Sequence, residues 1–307
     1  MKGVVIMDSI KKIDIHAHAM PFENIAPVYA RGSSLIHARE LIDLYDKLNI
    51  EKGVLLPLIS PEYHPTPISS AECAYTMDKH PDRFLWFCNI DPRALSNGDK
   101  TDLSPLFKHY KKLGAKGVGE VTCQLYFDDP RVDNMLSYAE EFEMPVLFHL
   151  HTKFGGSYGL VDEAGLPRLE KMLKKHPRLN FIGHSQVFWA EISNDCPENE
   201  RGGAPKGKVT EGRISKLLRE YPNLWCDISA GSGWNALSRD PEFAEKFLNE
   251  FADRILYGCD VCATLNTHQY LMDEFLRKMY ADGMLKPDVW RKIARENAIS
   301  LLKINLE

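Results

Sequence analysis

KHPDRF (79–84) and KHPRLNF (175–181) are near copies of each other, and REYPNLW (219–225) repeats the theme. Each reads as the end of a helix, a proline that forbids its continuation, and the first residues of a strand. A joint used this way several times in one chain marks a repeated strand–helix unit. Working outward from the joints, short apolar runs recur along the chain as KKIDIHAHA (11–19), GVLLPLI (53–59), RFLWFCNI (83–90) and AKGVGEV (115–121). They continue as PVLFHLH (145–151), NFIGHS (180–185), LWCDIS (224–229) and RILYGCD (254–260). Their unbroken apolar character suits parallel strands buried on both faces.

Helical patterns fill the gaps. ARELIDLYDKLN (38–49) sets Leu41, Leu44, Tyr45 and Leu48 on one face. LSPLFKHYKKLG (103–114) offers Ser104 as an N-cap, Pro105 in the first turn and Gly114 as a stop. Eight alternating units predict an α/β fold, a (β/α)8 TIM barrel with an extended loop after the sixth strand. An open doubly wound sheet is disfavoured, because no glycine-rich phosphate fingerprint follows the first strand. No low-complexity block or long linker divides the chain, so residues 1–307 are expected to form one barrel domain.

Composition sets the outer limits. The 307 residues are 44% hydrophobic and 26% charged, an ordinary globular balance. A net charge of −5 and pI near 6.1 argue against nucleic-acid partners, and apolar runs of strand length argue against a membrane span. Seven scattered cysteines and the absence of a secretory apolar stretch near MKGVVIMDSI suggest reduced thiols and a cytoplasmic location.

A barrel places function at the C-terminal ends of its strands, and polar residues gather there. IDIHAHAM (13–20) ends the first strand with His16 and His18; the fourth carries Glu120. The fifth ends in His149 and His151, the sixth in His184, the seventh near Asp227 and the eighth in Asp260. Any one of these is most simply a hydrogen-bonded core group. Together, so many imidazoles and carboxylates around one mouth are costly to bury unless a cation pairs them.

This ordered set, with IDIHAHAM, DDPRVDNMLSYAEEFEMPVLFHLH, NFIGHS, RILYGCD and ENAISLLKI, resembles the amidohydrolase superfamily along the whole chain. The likeness is to the branch that includes aminocarboxymuconate-semialdehyde decarboxylase. The resemblance implies His16, His18, His149, His184 and Asp260 as ligands of a divalent metal, Zn2+ foremost. It also implies Asp260 as general base; His184, or the metal itself, would then polarise the substrate carbonyl. Glu120 departs from the decarboxylase pattern. It reads either as a ligand bridging two ions, which leans toward hydrolysis, or as a carboxylate orienting a histidine. One ion or two therefore stays open.

The expected function is a metal-dependent hydrolase acting on an amide, lactone or related bond of a small, carboxylated substrate. A non-oxidative decarboxylase is the alternative. Cys259 and Cys262 flank Asp260 in a C-x-x-C that reads as packing rather than redox chemistry. The long segment 186–212 suggests a binding loop, with Trp189, Arg201, Lys206 and Lys208 on a cationic rim that Lys153 and Trp234 extend. His151, Tyr126 and Arg31 are further substrate-contact candidates. His80, His109 and His176 fall on helices or turns without a role. A homodimer is expected from the resemblance alone.

Overall fold

In a computed structural model, residues 7–22, 35–62 and 68–305 are described. Nine strands follow in order: β1 (Lys12–Ala17), β2 (Ile50–Leu55), β3 (Phe84–Trp86), β4 (Val118–Val121), β5 (Val146–His151), β6 (Leu160–Val161), β7 (Phe181–His184), β8 (Leu224–Asp227) and β9 (Ile255–Leu256). All pair in parallel, as β1-β2-β3 and β4-β5-β7-β8-β9, with the two-residue β6 alongside β5. The sixth barrel strand of the sequence is therefore β7.

Two seams join these sheets into a ring. At the first, Cys88 pairs with Val118, and the Gly119 N–H donates to the Cys88 carbonyl at 2.8 Å. At the second, Ile15 N–H donates to Tyr257 O at 3.0 Å and Asp260 N–H to His16 O at 2.7 Å, with Ala17 pairing Val261. The result is the (β/α)8 TIM barrel.

The three joints do what their prolines dictate. Helices Ser70–Lys79, Pro167–Lys175 and Arg213–Glu220 end at His80, His176 and Tyr221, each the residue before a proline. His176 is buried, bonding Asp133 at 2.9 Å, so it is a structural joint residue. Boundaries shift elsewhere. The second strand runs Ile50–Leu55 rather than 53–59. Ser104 lies inside its helix rather than capping it, and Asp102 Oδ1 accepts the Ser104 N–H at 3.0 Å instead.

Two apolar layers hold the ring. Ile13, Ile15, Val54, Leu147, Ile182 and Leu256 come from five different strands and Phe87 directly follows β3, yet they pack together, which puts them inside the barrel. Ala298, Leu302 and Ile304 of the C-terminal segment belong to the same cluster. The larger layer, including Phe148, Phe181 and Leu224, packs strands against the surrounding helices. The register of β1 against β2 slips between Asp14 and Ala17. Asp14 accepts a hydrogen bond from Tyr45 of helix Ala38–Lys47 on one oxygen at 2.7 Å and the His16 N–H on the other at 2.9 Å. Strict alternation along IDIHAH would have missed this.

Because the interior cluster cannot collapse onto itself, Leu147→Ala is expected to lower unfolding stability by about 2–5 kcal/mol. The exposed Leu113→Ala should change it by under about 0.5 kcal/mol, both read by denaturant unfolding.

Candidate metal centre and active site

The geometry begins with Asp227 at the end of β8. Its Oδ2 accepts from His16 Nδ1 at 2.7 Å, His184 Nδ1 at 3.1 Å and Ser229 Oγ at 2.7 Å; its Oδ1 accepts the Ser229 N–H at 2.9 Å. Burial works against the carboxylate, but the donations from His16 and His184 hold Asp227 well below the usual range. A carboxylate can only accept, so both imidazoles carry their proton on Nδ1 and turn Nε2 inward. The main-chain carbonyl of Leu56 imposes the same tautomer on His18, at 2.8 Å from Nδ1. Gly258 leaves Asp227 its room: a Cβ there would stand 2.3 Å from Asp227 Oδ1.

Three Nε2 lone pairs thus converge. His16 Nε2 and His18 Nε2 are 3.0 Å apart, and each lies 3.5 Å from Glu120 Oε2 and 3.3 Å from Asp260 Oδ1. Three of these donors, on His16, His18 and Asp260, stand 3.0 and 3.3 Å apart, close to the edges of about 3.3–3.4 Å around an ion bound tetrahedrally at about 2.0–2.1 Å, while Glu120 groups with His16 and His184. The electrostatics agree. Burial disfavours an imidazolium at His16, yet the carboxylates of Asp260, Asp227 and Glu120 raise it well above its ordinary value. His18 is raised in the same sense, while Glu120 and Asp260 are pulled down by the imidazoles despite their burial. Two buried carboxylates, Asp227 and Glu120, and the partly buried Asp260 gather around these imidazoles, an arrangement that suits a bound cation.

Glu120 divides its two oxygens. Oε2 faces the β1 histidines, whereas Oε1 lies 2.6 Å from His149 Nδ1 and 3.9 Å from His184 Nε2. His149 therefore joins the cluster through Glu120. Its ring lies 4.6 Å from that of Tyr158. Asp260 has φ of +51°, a left-handed conformation that Asp tolerates better than most residues. Its side chain is 23% exposed, against 4% or less for His16, His18, Glu120 and His184.

The rim departs from the sequence reading. Trp189 is buried, its indole N–H donating to the Asp227 carbonyl at 3.0 Å, so it supports the centre from behind rather than touching the mouth. Arg201 is also buried, paired with Glu191 at 2.9 Å and Glu198 at 3.3 Å, which neutralises it. The cause is that segment 186–212 folds onto the barrel, with helix Gln186–Ala190, a turn at Glu198–Glu200 and a bridge from Ser193 to Glu211. Lys208 pairs with Glu242 at 3.1 Å, and Lys206 is exposed. His151 turns its Nδ1 to the carbonyl of Lys153 at 2.6 Å; Lys153 itself is exposed. Tyr126 is partly exposed, between the Arg168 guanidinium at 3.9 Å and the Phe154 ring at 4.7 Å. Arg31 lies outside the described residues. All seven cysteines are free, Cys259 buried beside Asp260. Among the described residues no helix is long and apolar enough to cross a membrane.

Asp227 was visible in the sequence as a polar strand end, but its service to two histidines at once was not. Ser229 and Tyr158 carried no signal, since an isolated Ser or Tyr after a strand is commonplace.

Solved structures share this fold across nearly the full chain. An uncharacterised TIM-barrel protein from Bordetella bronchiseptica matches with a TM-score of 0.61 at 19% identity, covering 96% of this chain and 99% of its own. A probable 2-pyrone-4,6-dicarboxylic acid hydrolase from Acinetobacter baumannii, with citric acid bound, matches at 0.57 and 15%, covering 96% and 100%. A dihydroxybenzoic acid decarboxylase from Polaromonas, with bound manganese, matches at 0.56 and 16%, covering 97% and 98%. No curated protein matches by sequence. The family profile described as Amidohydrolase, in contrast, matches residues 13–304, from the first ligand strand to the closing helix, and this chain belongs to that family.

Proposed function

We propose that this enzyme is a metal-dependent hydrolase, acting on an amide, lactone or related carbonyl bond of a small molecule. The observation that carries the reading is the divided posture of Glu120, with one oxygen toward His16 and His18 and the other toward His149 and His184. That posture supports two ions, the first held by His16, His18, Glu120 and Asp260, the second by Glu120, His149 and His184. The edge lengths around the first favour zinc, although the Polaromonas relative holds manganese. A divalent ion bound here would supply a water acidified from about 15.7 toward about 7.

The chain's own groups do the rest. Asp260, the most open of the carboxylates, is placed to take a proton at the mouth and return it to the leaving nitrogen or oxygen. His184, its Nδ1 facing Asp227, turns Nε2 toward Glu120 and Asp260. This favours a ligand role over hydrogen-bond donation to a substrate carbonyl.

Purified protein loaded with zinc should carry about two equivalents per chain, and Glu120→Gln about one or fewer; content under about 0.2 for the parent would remove the metal reading altogether. Turnover of a lactone or amide panel in 18O-water should place one label in each acid product. Release of CO2 from a dihydroxybenzoate, without label, would instead establish the decarboxylase. Asp260→Asn should fold normally and lose about 10²–10⁴-fold in kcat. Asp227→Asn, which touches no ion, should weaken metal affinity about 10–100-fold in a chelator competition.

A further inference from the structure

A cleft of about 590 Å³ opens on the catalytic face, between the segments that follow β7, β8 and β9. Each wall is tied to the metal centre. Gln186 follows His184 by two residues; Ser232 and Trp234 belong to the helix that begins next to Ser229, whose Oγ lies 3.1 Å from His184 Nδ1. On the third wall, the His268 imidazole bonds the carbonyl of Cys259 at 2.7 Å, one residue before Asp260.

The chemistry of the lining is unlike the rim expected from sequence. Among the described residues, no lysine, arginine, aspartate or glutamate lines the cleft. It has a half-buried indole, Trp234, the amides of Gln186, Asn235 and Asn266, the imidazole of His268 and the hydroxyls of Ser232 and Thr267. Ser232 Oγ is buried with no hydrogen-bond partner among the described residues. A buried hydroxyl left unmatched is costly, which points to a partner brought by a ligand. A carboxylate entering this space would meet no lysine or arginine among the described residues to replace the water it gives up.

We infer that the cleft is the subsite for the non-reacting part of the substrate, and that this part is an uncharged planar ring bearing a hydrogen-bonding group. Trp234 stacks on the ring and Ser232 meets the polar group. The inference rests on the hydrolase reading only for the choice of catalytic face, and its test needs no turnover.

The test uses benzamide and benzoate, which share a shape and differ in charge. Both are titrated calorimetrically against the full chain, with metal and after chelation, so that coordination of benzoate to an ion is separated from the cleft. Benzamide should bind the chelated chain at least about tenfold more tightly than benzoate. Trp234→Ala and Ser232→Ala should each weaken benzamide about five- to tenfold, whereas Trp234→Phe keeps a ring and should retain most of the binding. Asn235→Arg should reverse the preference toward benzoate, a change that simple loss of structure cannot produce. Equal or tighter binding of benzoate to the chelated parent overturns the proposal. So does an absence of saturable benzamide binding, or binding indifferent to both alanine variants. None of these outcomes bears on 18O incorporation, so the two readings fail separately.

Discussion

One carboxylate, Asp227, accepts the Nδ1 protons of two neighbouring imidazoles, His16 and His184, on a single oxygen, and the direction of both Nε2 atoms follows from it. Without that acceptor the two rings would be free to turn and to exchange tautomers. With it, each holds its Nδ1 proton outward and its Nε2 toward the centre. The surroundings are devoted to keeping Asp227 charged and in place. Ser229 donates twice, Trp189 holds the main-chain carbonyl, and Gly258 leaves the side chain its space. Burial alone would have pushed this acid toward its neutral form. The donors reverse that, and the negative charge they preserve adds to those of Glu120 and Asp260.

The same residues close the barrel. Asp260 donates its N–H to the His16 carbonyl, so two of the proposed ligands are joined through the backbone at the seam between the last strand and the first. The last strand is short there, β9 being only Ile255–Leu256, and the seam relies on a few main-chain bonds. A cation held between these side chains would therefore stabilise the ring as well as the site, since anything that binds the folded state alone adds to its stability. Function and closure share one set of atoms.

Much of this was legible in the sequence because it follows from local rules. The proline joints at His80, His176 and Tyr221 mark helix ends by steric necessity, and unbroken apolar runs mark strands buried on both faces. The polar ends of those strands could be listed without knowing their partners. What could not be read was anything set by long-range packing. The register slip in β1 turns one Asp14 oxygen to Tyr45 of the helix layer while the other still accepts the His16 N–H. The segment 186–212 looks like a polar loop by composition. In the fold, however, Trp189 and Arg201 are buried by Phe188, Glu191 and Glu198 of that same segment, neighbours whose placement no periodicity encodes. Tyr158 reaches His149 only because the chain doubles back between β5 and β6.

The fate of Arg201 also bears on the chemistry. A decarboxylase and a hydrolase can share the same ligands; they differ in what must be gripped. Loss of CO2 requires a substrate carboxylate brought to the metal, and cations on the rim would assist it. Here the long segment spends its arginine internally on Glu191 and Glu198 and its Lys208 on Glu242, which leaves the exposed Lys206 and, after β5, Lys153 as its rim cations. The cleft beside the centre, among the described residues, is lined by an indole, an imidazole, amides and hydroxyls and by none of these cations. An uncharged subsite and a Glu120 shared between two groups of donors point the same way. Both suit a neutral carbonyl compound brought to an acidified water, with Asp260 at the opening to carry the proton.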